Sequence, residues 1–214
     1  MRDTKMNKTL FKRITMMCIG VLIMGFAVSL CVYANLGTDP CTCLNLGLSS
    51  VIGLSFGTWQ LIFNSVVLIF TFFLARHLIG IGTIVNMVAI GFLVDYFSGV
   101  LKTILPSNPT MVTRVLVMIC GVVVLAFTVS LYIYPSLGVS PYDSIAIMLS
   151  KFTHIKFHWC RIFCDVAAVL VGFSCGSVIG IGTIITAFCI GPLIKLFNHL
   201  IVKIMPMEVK TLAL

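Results

Sequence analysis

Two short turns place acidic and hydroxyl side chains at the predicted starts of short helices. Asp39 comes immediately before Pro40, and Ser140 comes immediately before Pro141, with Asp143 three positions after Ser140. Asp and Ser are good N-caps, and Pro fits the first helical position, where its missing N–H costs nothing. Exposed N–H groups at such starts can bind an anion, whereas the carboxylates of Asp39 and Asp143 favour a cation or an amine. The pattern predicts either two well-capped helices or a ligand site whose charge stays open.

A second group of polar residues lies inside apolar segments, where polar side chains are costly in lipid and usually face a cavity or a partner. Gln60 and Asn64 are four residues apart in one segment, and Arg161 and Asp165 have the same spacing in another. This spacing places each pair on one helix face, so Arg161 and Asp165 can neutralise each other. Alternatively, Asp165 titrates or binds a coupling ion while Asn64 offers a neutral partner. Asn86, in a further segment, can hydrogen-bond between helices.

The sequence contains no arrangement typical of catalysis. We find no His-Glu-x-x-His zinc motif, no nucleotide-binding motif and no convincing Ser/His or paired-Asp arrangement. Most of the nine cysteines lie inside apolar runs, where Cys behaves as a small hydrophobe. The Cys41/Cys43 and Cys160/Cys164 pairs lack zinc-type spacing with His. We therefore expect no catalytic residue, no metal site and no cofactor, and we expect that the protein is not an enzyme.

The composition excludes several classes of protein. Apolar residues make up 60% of the 214 residues and charged residues only 9%, and the mean hydropathy is +1.17. A soluble domain carries about 25% charged residues, so an ordinary soluble enzyme, a disordered chain and a nucleic-acid-binding domain are all excluded. The formal net charge of +8 comes from basic residues at the edges of apolar segments, which is how membrane topology is encoded. The chain is an all-α polytopic membrane protein with the lipid bilayer as its surroundings and no nucleic-acid partner.

Six segments are apolar and about long enough to cross a bilayer, which takes about 20 residues. Two others, Pro40–Gly53 and Pro141–Thr153, are shorter, and each is either a short span or a re-entrant half-helix. A basic stretch precedes the first segment, but that segment is too long for a signal peptide and no Ala-x-Ala site follows it. We expect an uncleaved first helix. The six long segments are Ile14–Tyr33, Thr58–Ala75, Thr83–Leu101, Val115–Tyr134, Arg161–Gly172 with its flanks, and Ile181–Ile204.

The chain resembles itself when it is shifted by 101 positions, which aligns Arg13 with Arg114 and Pro40 with Pro141. After one residue drops out, the run that begins at Gly80 repeats from Gly180. Matches of Arg, Gly and Pro are much less likely to arise by chance than matches of Leu or Val, which are abundant in every apolar segment. We therefore predict two tandem four-helix repeats, about eight helices in all, with the second helix of each repeat short. The predicted regions are 1–10, a basic cytoplasmic N-terminus; 11–104, the first repeat; 105–111, a polar linker; 112–206, the second repeat; and 207–214, a C-terminal tail.

The short segments decide how the two repeats are oriented. If they span the membrane, both halves begin on the same side and the repeats are parallel; if they are re-entrant, the repeats are inverted. The number of basic residues placed on the cytoplasmic side differs by only one charge between the parallel and the inverted arrangement, so this number does not decide between them. The match of Arg13 with Arg114 and the positions of Lys151 and Lys156 favour eight helices in parallel repeats.

The turn motifs resemble a known family. A Gly-containing turn leads to a short helix ending in Leu48-Ser49, and Leu54-Ser55-Phe56-Gly57 leads to a helix that contains Asn64. This pattern is similar to the YitT/YczE/YyaS group of bacterial membrane proteins, in particular its YczE-like branch, over about residues 11–204. The resemblance implies an inner-membrane protein, often supposed to be related to transport, and it brings no established ligand residues. YitT-type members carry a soluble C-terminal domain, which we expect to be absent here because the sequence stops at Leu214.

Together these features predict a small-molecule or ion transporter or permease of the bacterial inner membrane, with both termini cytoplasmic. The predicted site lies between two pseudo-symmetric halves. The alternative is a non-transporting scaffold or accessory subunit of another membrane complex, which predicts no water-accessible cavity and polar pairs that satisfy each other. A homo-oligomer or a membrane partner stays open. The candidate binding residues are Asp39, Gln60, Asn64, Asn86, Ser140, Asp143, Arg161 and Asp165.

Overall fold

The computed structural model describes residues 2–205, with side chains from Thr9 onward. The tail predicted at 207–214 and the side chains of Arg2, Lys5 and Lys8 therefore lie outside the described residues. The described chain is helical, as predicted, and contains eight α-helices and a short 3₁₀ turn at Arg76–Leu78. The helices are α1 (Arg2–Ala34), α2 (Pro40–Ile52), α3 (Phe56–Leu74), α4 (Ile81–Ile104), α5 (Met111–Ile133), α6 (Pro141–Thr153), α7 (Phe157–Ser174) and α8 (Ile181–Ile204).

Six of these helices, all except α2 and α6, are long and apolar enough to cross a membrane. Their outward faces carry large apolar side chains; Phe73, Phe188 and Ile204 are each more than 70% exposed. In water such a surface would be strongly unfavourable, whereas in lipid it costs nothing. The protein is therefore a multi-pass membrane protein whose outer surface contacts the bilayer.

Helices α1 and α5 form the centre of the bundle and run antiparallel. Near the start of α1, Arg13 donates to the carbonyl of Pro135, just after the end of α5, at 2.6 Å from Nη2. Gly20 lies so close to α5 that an added Cβ would be 3.1 Å from the backbone nitrogen of Tyr132. Further along, an added Cβ on Gly121 would lie 2.8 Å from the sulfur of Cys31. The absence of a side chain at these two glycines allows the two backbones to pack closely.

The remaining long helices flank this central pair. Phe26 of α1 contacts Phe97 of α4 with ring centroids 5.5 Å apart, and the Tyr33 hydroxyl donates to the carbonyl of Pro106 at 2.7 Å. From the first contact to the second, the chain advances from Phe26 to Tyr33 on α1 and from Phe97 to Pro106 on and just after α4. The two helices therefore run parallel. Helix α8 lies beside α5 in the same way, through equivalent contacts of Phe127 with Phe197 (5.5 Å) and of the Tyr134 hydroxyl with the Met205 carbonyl (2.8 Å).

The two short helices each begin in the middle of the bundle. Helix α6 then runs toward the end of the bundle where Arg13 lies, since Ser144 hydrogen-bonds Thr71 at 2.8 Å and Met148 packs against the residues that follow α3. Helix α2 runs toward the opposite end, where Gly47 packs closely against Gly172 near the end of α7. Each short helix therefore returns to the end of the bundle from which its loop entered. This is the geometry of a re-entrant half-helix.

The loops that precede the short helices are each held by the last helix of the other half. The Gly182 N–H donates to the carbonyl of Leu36 at 2.8 Å, and the Gly82 N–H donates to the carbonyl of Leu137 at 2.9 Å. The next residues, Gly37 and Gly138, have φ angles of 97° and 124°. Non-Gly residues rarely adopt such angles, so glycine at these two positions is what allows the tight turns before the short helices.

The prediction that both halves begin on the same side is wrong, because α1 and α5 run in opposite directions. The match of Arg13 with Arg114 suggested a shared cytoplasmic charge, but the two residues lie at opposite ends of the bundle. Arg13 is explained instead by its hydrogen bonds to the carbonyl of Pro135. The described contacts fit six spans and inverted halves, which was the alternative arrangement.

Candidate functional site

The starts of α2 and α6 face each other at one cavity in the middle of the bundle. Asp39 caps α2 by accepting a hydrogen bond from the Thr42 N–H at 3.1 Å. Ser140 caps α6 by accepting one from the Asp143 N–H at 3.2 Å, and its hydroxyl donates to the Asp143 carboxylate at 2.8 Å. In each case the extended cap residue is followed by Pro at the first helical position. Both N-caps predicted from the sequence are confirmed.

The cavity has a volume of about 170 Å³ and is lined by side chains from both halves. On α1 its lining residues are Met24 and Val28, which lie near the middle of the apolar segment. The cavity therefore lies near the level of a bilayer midplane. Six of the predicted site residues line it: Asp39, Gln60, Asn64, Asn86, Ser140 and Asp143.

The other two predicted residues, Arg161 and Asp165, lie beside the cavity and do not line it. Arg161 forms ion pairs with Asp143 and, at 3.1 Å from Nε to Oδ2, with Asp165. The Tyr142 hydroxyl donates to Asp165 at 2.8 Å, and the guanidinium of Arg161 lies 5.2 Å from the Tyr142 ring centroid. Arg161 therefore bridges α6 and α7. The local neutralisation that the spacing suggested is present, and Asp143 is also part of it.

The corresponding part of the first half carries no charge besides Asp39. Gln60 and Asn64 are 7% and 3% exposed, and Asn86 on α4 is 7% exposed. Oε1 of Gln60 has no hydrogen-bond partner among the described residues, although buried polar atoms are usually paired. The side chains of Asn64 and Asn86 make no hydrogen bond to the part of the chain that the structure describes, residues 9–205.

Sequence reasoning missed two tyrosines and one cysteine at this site. Tyr132 lines the cavity, is 4% exposed and has no hydrogen-bond partner for its hydroxyl among the described residues. Tyr142 and Cys41 line it from the first turns of α6 and α2. The repeat could have identified the last two, because each follows a matched Pro. Nothing in the sequence distinguishes Tyr132 from an ordinary apolar-segment aromatic residue.

Asp95 and Lys195 occupy matched positions in the two repeats, but they form no ion pair with each other in the part of the chain that the structure describes. Asp95 instead accepts a hydrogen bond from the Gly57 N–H at 2.8 Å and so caps α3. Lys195 is exposed. Among residues 9–205, no group of three or more His, Cys, Asp or Glu side chains is placed to hold a metal ion.

Comparison with known proteins places this architecture in a family. Residues 11–199 match the family described as "Family of unknown function (DUF6198)". The chain is similar to the uncharacterized membrane protein YczE of Bacillus subtilis, with 30% identity over 89% of this chain and 87% of the relative. It is also similar to an uncharacterized protein of Haemophilus influenzae, with 25% identity over 91% and 87% of the two chains. A third relative is the uncharacterized protein YyaS of Bacillus subtilis, with 24% identity over 86% and 90%. No solved structure matches the chain.

Proposed function

The chain belongs to the DUF6198 family, and from that premise we propose that it is a small transporter that binds its substrate in the cavity between α2 and α6. The observation that carries the proposal is a cavity near the midplane where two half-helices meet, lined by a buried hydroxyl and a buried amide oxygen without partners. Transporters typically bind substrates at the midplane, beside helices that are discontinuous there.

The arrangement of the halves also supports transport. The contacts of α1 with α4 recur between α5 and α8, and the Leu36–Gly182 hydrogen bond has a counterpart in Leu137–Gly82. Two inverted repeats around one site can open alternately to the two sides of the membrane, because exchanging their conformations reverses the access. We propose that the predicted repeats are such a pair.

Basic residues support a cytoplasmic location for the end of the bundle that carries Arg13, and hence for both ends of the described chain. Cytoplasmic loops carry an excess of Lys and Arg. Among the described Lys and Arg side chains, only Lys102 and Arg114 lie near the opposite end of the bundle. The residues at the Arg13 end are Lys12, Arg13, Arg76, Lys151, Lys156 and Lys203.

Access to Cys41 tests the function without knowledge of the substrate. In proteoliposomes of fixed orientation, we expect an impermeant methanethiosulfonate with a trimethylammonium group to modify Cys41 from either side of the membrane. Modified residues are identified by peptide mass spectrometry. The matched control is Cys43, which is 0% exposed and lies outside the cavity lining, so Cys41→Ser should lose the modification and Cys43→Ser should keep it. Modification from neither side of folded protein would contradict transport.

The second candidate function is a non-transporting scaffold or accessory subunit, and one observation favours it. The ion pairs of Arg161 with Asp143 and Asp165 satisfy each other inside the protein, which a purely structural role requires. A Cys41 that is closed to reagent from both sides is the outcome that this function predicts.

A further inference from the structure

We propose that the cavity binds a small monovalent cation whose charge is balanced by Asp39. The proposal rests on the proposed function, because it assigns a class of substrate to the same site. It stands on four features of the described residues: the balance of charge around the cavity, the occupation of the helix starts, the chemistry of the unpartnered atoms and the volume.

The charges around the cavity favour a cation. Asp39 and Asp143 line it and Asp165 lies next to it, whereas Arg161 is the neighbouring cation. Arg161 is already paired with two of the carboxylates, Asp143 and Asp165. No described lining residue is Lys, Arg or His. Asp39 is therefore a carboxylate in a low-dielectric setting without a cationic partner among the described side chains, and such a charge is strongly unfavourable unless it is neutralised.

The helix starts are already occupied by the protein's own oxygen atoms. The Asp39 carboxylate lies at the start of α2, where it accepts the Thr42 N–H, and Ser140 accepts the Asp143 N–H in the first turn of α6. The positive ends of the two helix dipoles are therefore partly offset by carboxylates, at the positions where an anionic ligand would bind. An anion in this cavity would lie close to the carboxylates of Asp39 and Asp143, which would repel it.

The atoms without partners are oxygens that can coordinate a cation or accept from an ammonium group. Oε1 of Gln60 and the hydroxyl of Tyr132 belong to side chains that are 7% and 4% exposed, and both residues line the cavity. Asn64 and Asn86 add amide groups that make no hydrogen bond to another described residue. These acceptors complete a site in which the charge comes from Asp39 and the remaining ligands are neutral.

The volume of the cavity suits a small ion. A cavity of about 170 Å³ has room for roughly five or six water molecules, at about 30 Å³ for each water in the liquid. Pockets for drug-sized ligands are larger, about 300–1,000 Å³. An alkali metal ion with part of its hydration shell, an ammonium ion, methylammonium or guanidinium would fit. These ions share the chemistry that the proposal names, a single positive charge on a small group.

The test measures thermal unfolding of the purified protein in detergent at constant ionic strength, in N-methylglucamine chloride. This salt is replaced stepwise by sodium, potassium, ammonium, methylammonium or guanidinium chloride, and in a parallel series by N-methylglucamine phosphate, sulfate or acetate. We expect a saturable rise in the unfolding midpoint with at least one cation and none with the anions. A response to alkali ions alone identifies a metal cation as the ligand, and a response to the nitrogen cations alone identifies an ammonium-type or guanidinium-type ligand; either supports the proposal.

The matched variants are Asp39→Asn and Asp95→Asn, which make the same change inside and outside the cavity. Asp39→Asn should abolish the rise, whereas Asp95→Asn should keep it, because Asp95 caps α3 and does not line the cavity. A rise that survives Asp39→Asn, a rise with an anion, or no rise with any cation overturns the proposal. Because Asp39→Asn also alters the cap of α2, a second measurement is needed that does not depend on stability.

The second measurement is the rate at which aminoethyl and sulfonatoethyl methanethiosulfonates modify Cys41 in detergent, each divided by its rate with a small thiol in solution. We expect the cationic reagent to be favoured at least tenfold and Asp39→Asn to lower that ratio toward one. A ratio at or below one overturns the cation proposal. If Cys41 is nevertheless modified from both sides of proteoliposomes, the proposed transport function stands, so the two failures are distinguishable.

Discussion

The two half-helix regions that meet at the cavity have similar backbones and different chemistry. Around α6, Asp143, Arg161 and Asp165 form a network of ion pairs that links α6 to α7. Around α2, the equivalent positions on α3 are Gln60 and Asn64, which are neutral and have few hydrogen bonds. In the second half, ion pairs hold the polar side chains in place. In the first half, the polar side chains have few partners among the described residues, so they are the ones that could bind a ligand. The α2 and α6 regions thus share a backbone arrangement but differ in the roles of their polar side chains.

The largest expected difference in stability between the two regions comes from substitution of Arg161 and of Gln60, its equivalent in the first half. Arg161→Ala leaves two carboxylates without their cation, and we expect it to lower the unfolding free energy by at most about 3 kcal/mol, the low end of the range for breaking a buried pair, because the Arg161 and Asp143 side chains are 34% and 32% exposed. Gln60→Ala at the equivalent position should cost less than about 1 kcal/mol, since Oε1 of Gln60 has no partner to lose. The measurement is chemical or thermal unfolding in detergent.

A rescue variant makes the Arg161 result specific. Adding Asp143→Asn and Asp165→Asn to Arg161→Ala removes the unpaired charges, so part of the lost stability should return. Equal losses for Arg161→Ala and Gln60→Ala would contradict the contrast between the two regions.

The two turns before the short helices should respond alike, because here the halves are the same. Gly37→Ala and Gly138→Ala would each place a Cβ within 2.5 Å of a threonine hydroxyl at a positive φ angle. We expect a loss of about 2 kcal/mol for each, typical of a strained backbone position. The control is Gly99→Ala, where an added Cβ meets nothing within 4 Å. Unfolding midpoints that differ strongly between the first two variants would show that the turns are not equivalent.

The smallest effect should come from one hydroxyl of the charged region. Tyr142→Phe removes the 2.8 Å hydrogen bond to Asp165 and should lower the unfolding free energy by about 1.5 kcal/mol, the low end for a hydrogen bond to a charged group. Tyr132→Phe removes a buried hydroxyl that has no partner among the described residues, so its stability in ligand-free buffer should stay the same or rise. The comparison fails if Tyr132→Phe is the more destabilising of the two.

Much of this architecture could be predicted from the sequence, because local signals decide it. The lengths of the apolar segments predicted the six long helices. The Asp39-Pro40 and Ser140-Pro141 pairs predicted where the two short helices begin. Six of the eight proposed site residues also line one cavity. These features depend on residue type and spacing within single segments, which a sequence displays directly.

The direction of the halves could not be predicted in the same way. Charge counting gave nearly equal support to two arrangements, and the contact that distinguishes them, between Arg13 and the carbonyl of Pro135, joins residues far apart in the chain. The role of Tyr132 was missed for a similar reason: a tyrosine inside an apolar segment shows its lack of a partner only when the neighbouring helices are in place. Interactions across the bundle depend on tertiary packing, which single-segment patterns do not contain.

The hydrogen bonds that hold the loops before α2 and α6 also determine when, during synthesis, each loop can reach its final position. The carbonyl of Leu36 accepts a hydrogen bond from the Gly182 N–H at the start of α8, which is synthesised after the other seven described helices. Until α8 has entered the membrane, the turn before α2 lacks this hydrogen bond, and α2 is held only by its contacts with helices made earlier, such as that of Gly47 with Gly172. The first half of the chain therefore completes its fold only after α8 has been synthesised, and a product truncated before α8 would leave the turn before α2 without this hydrogen bond.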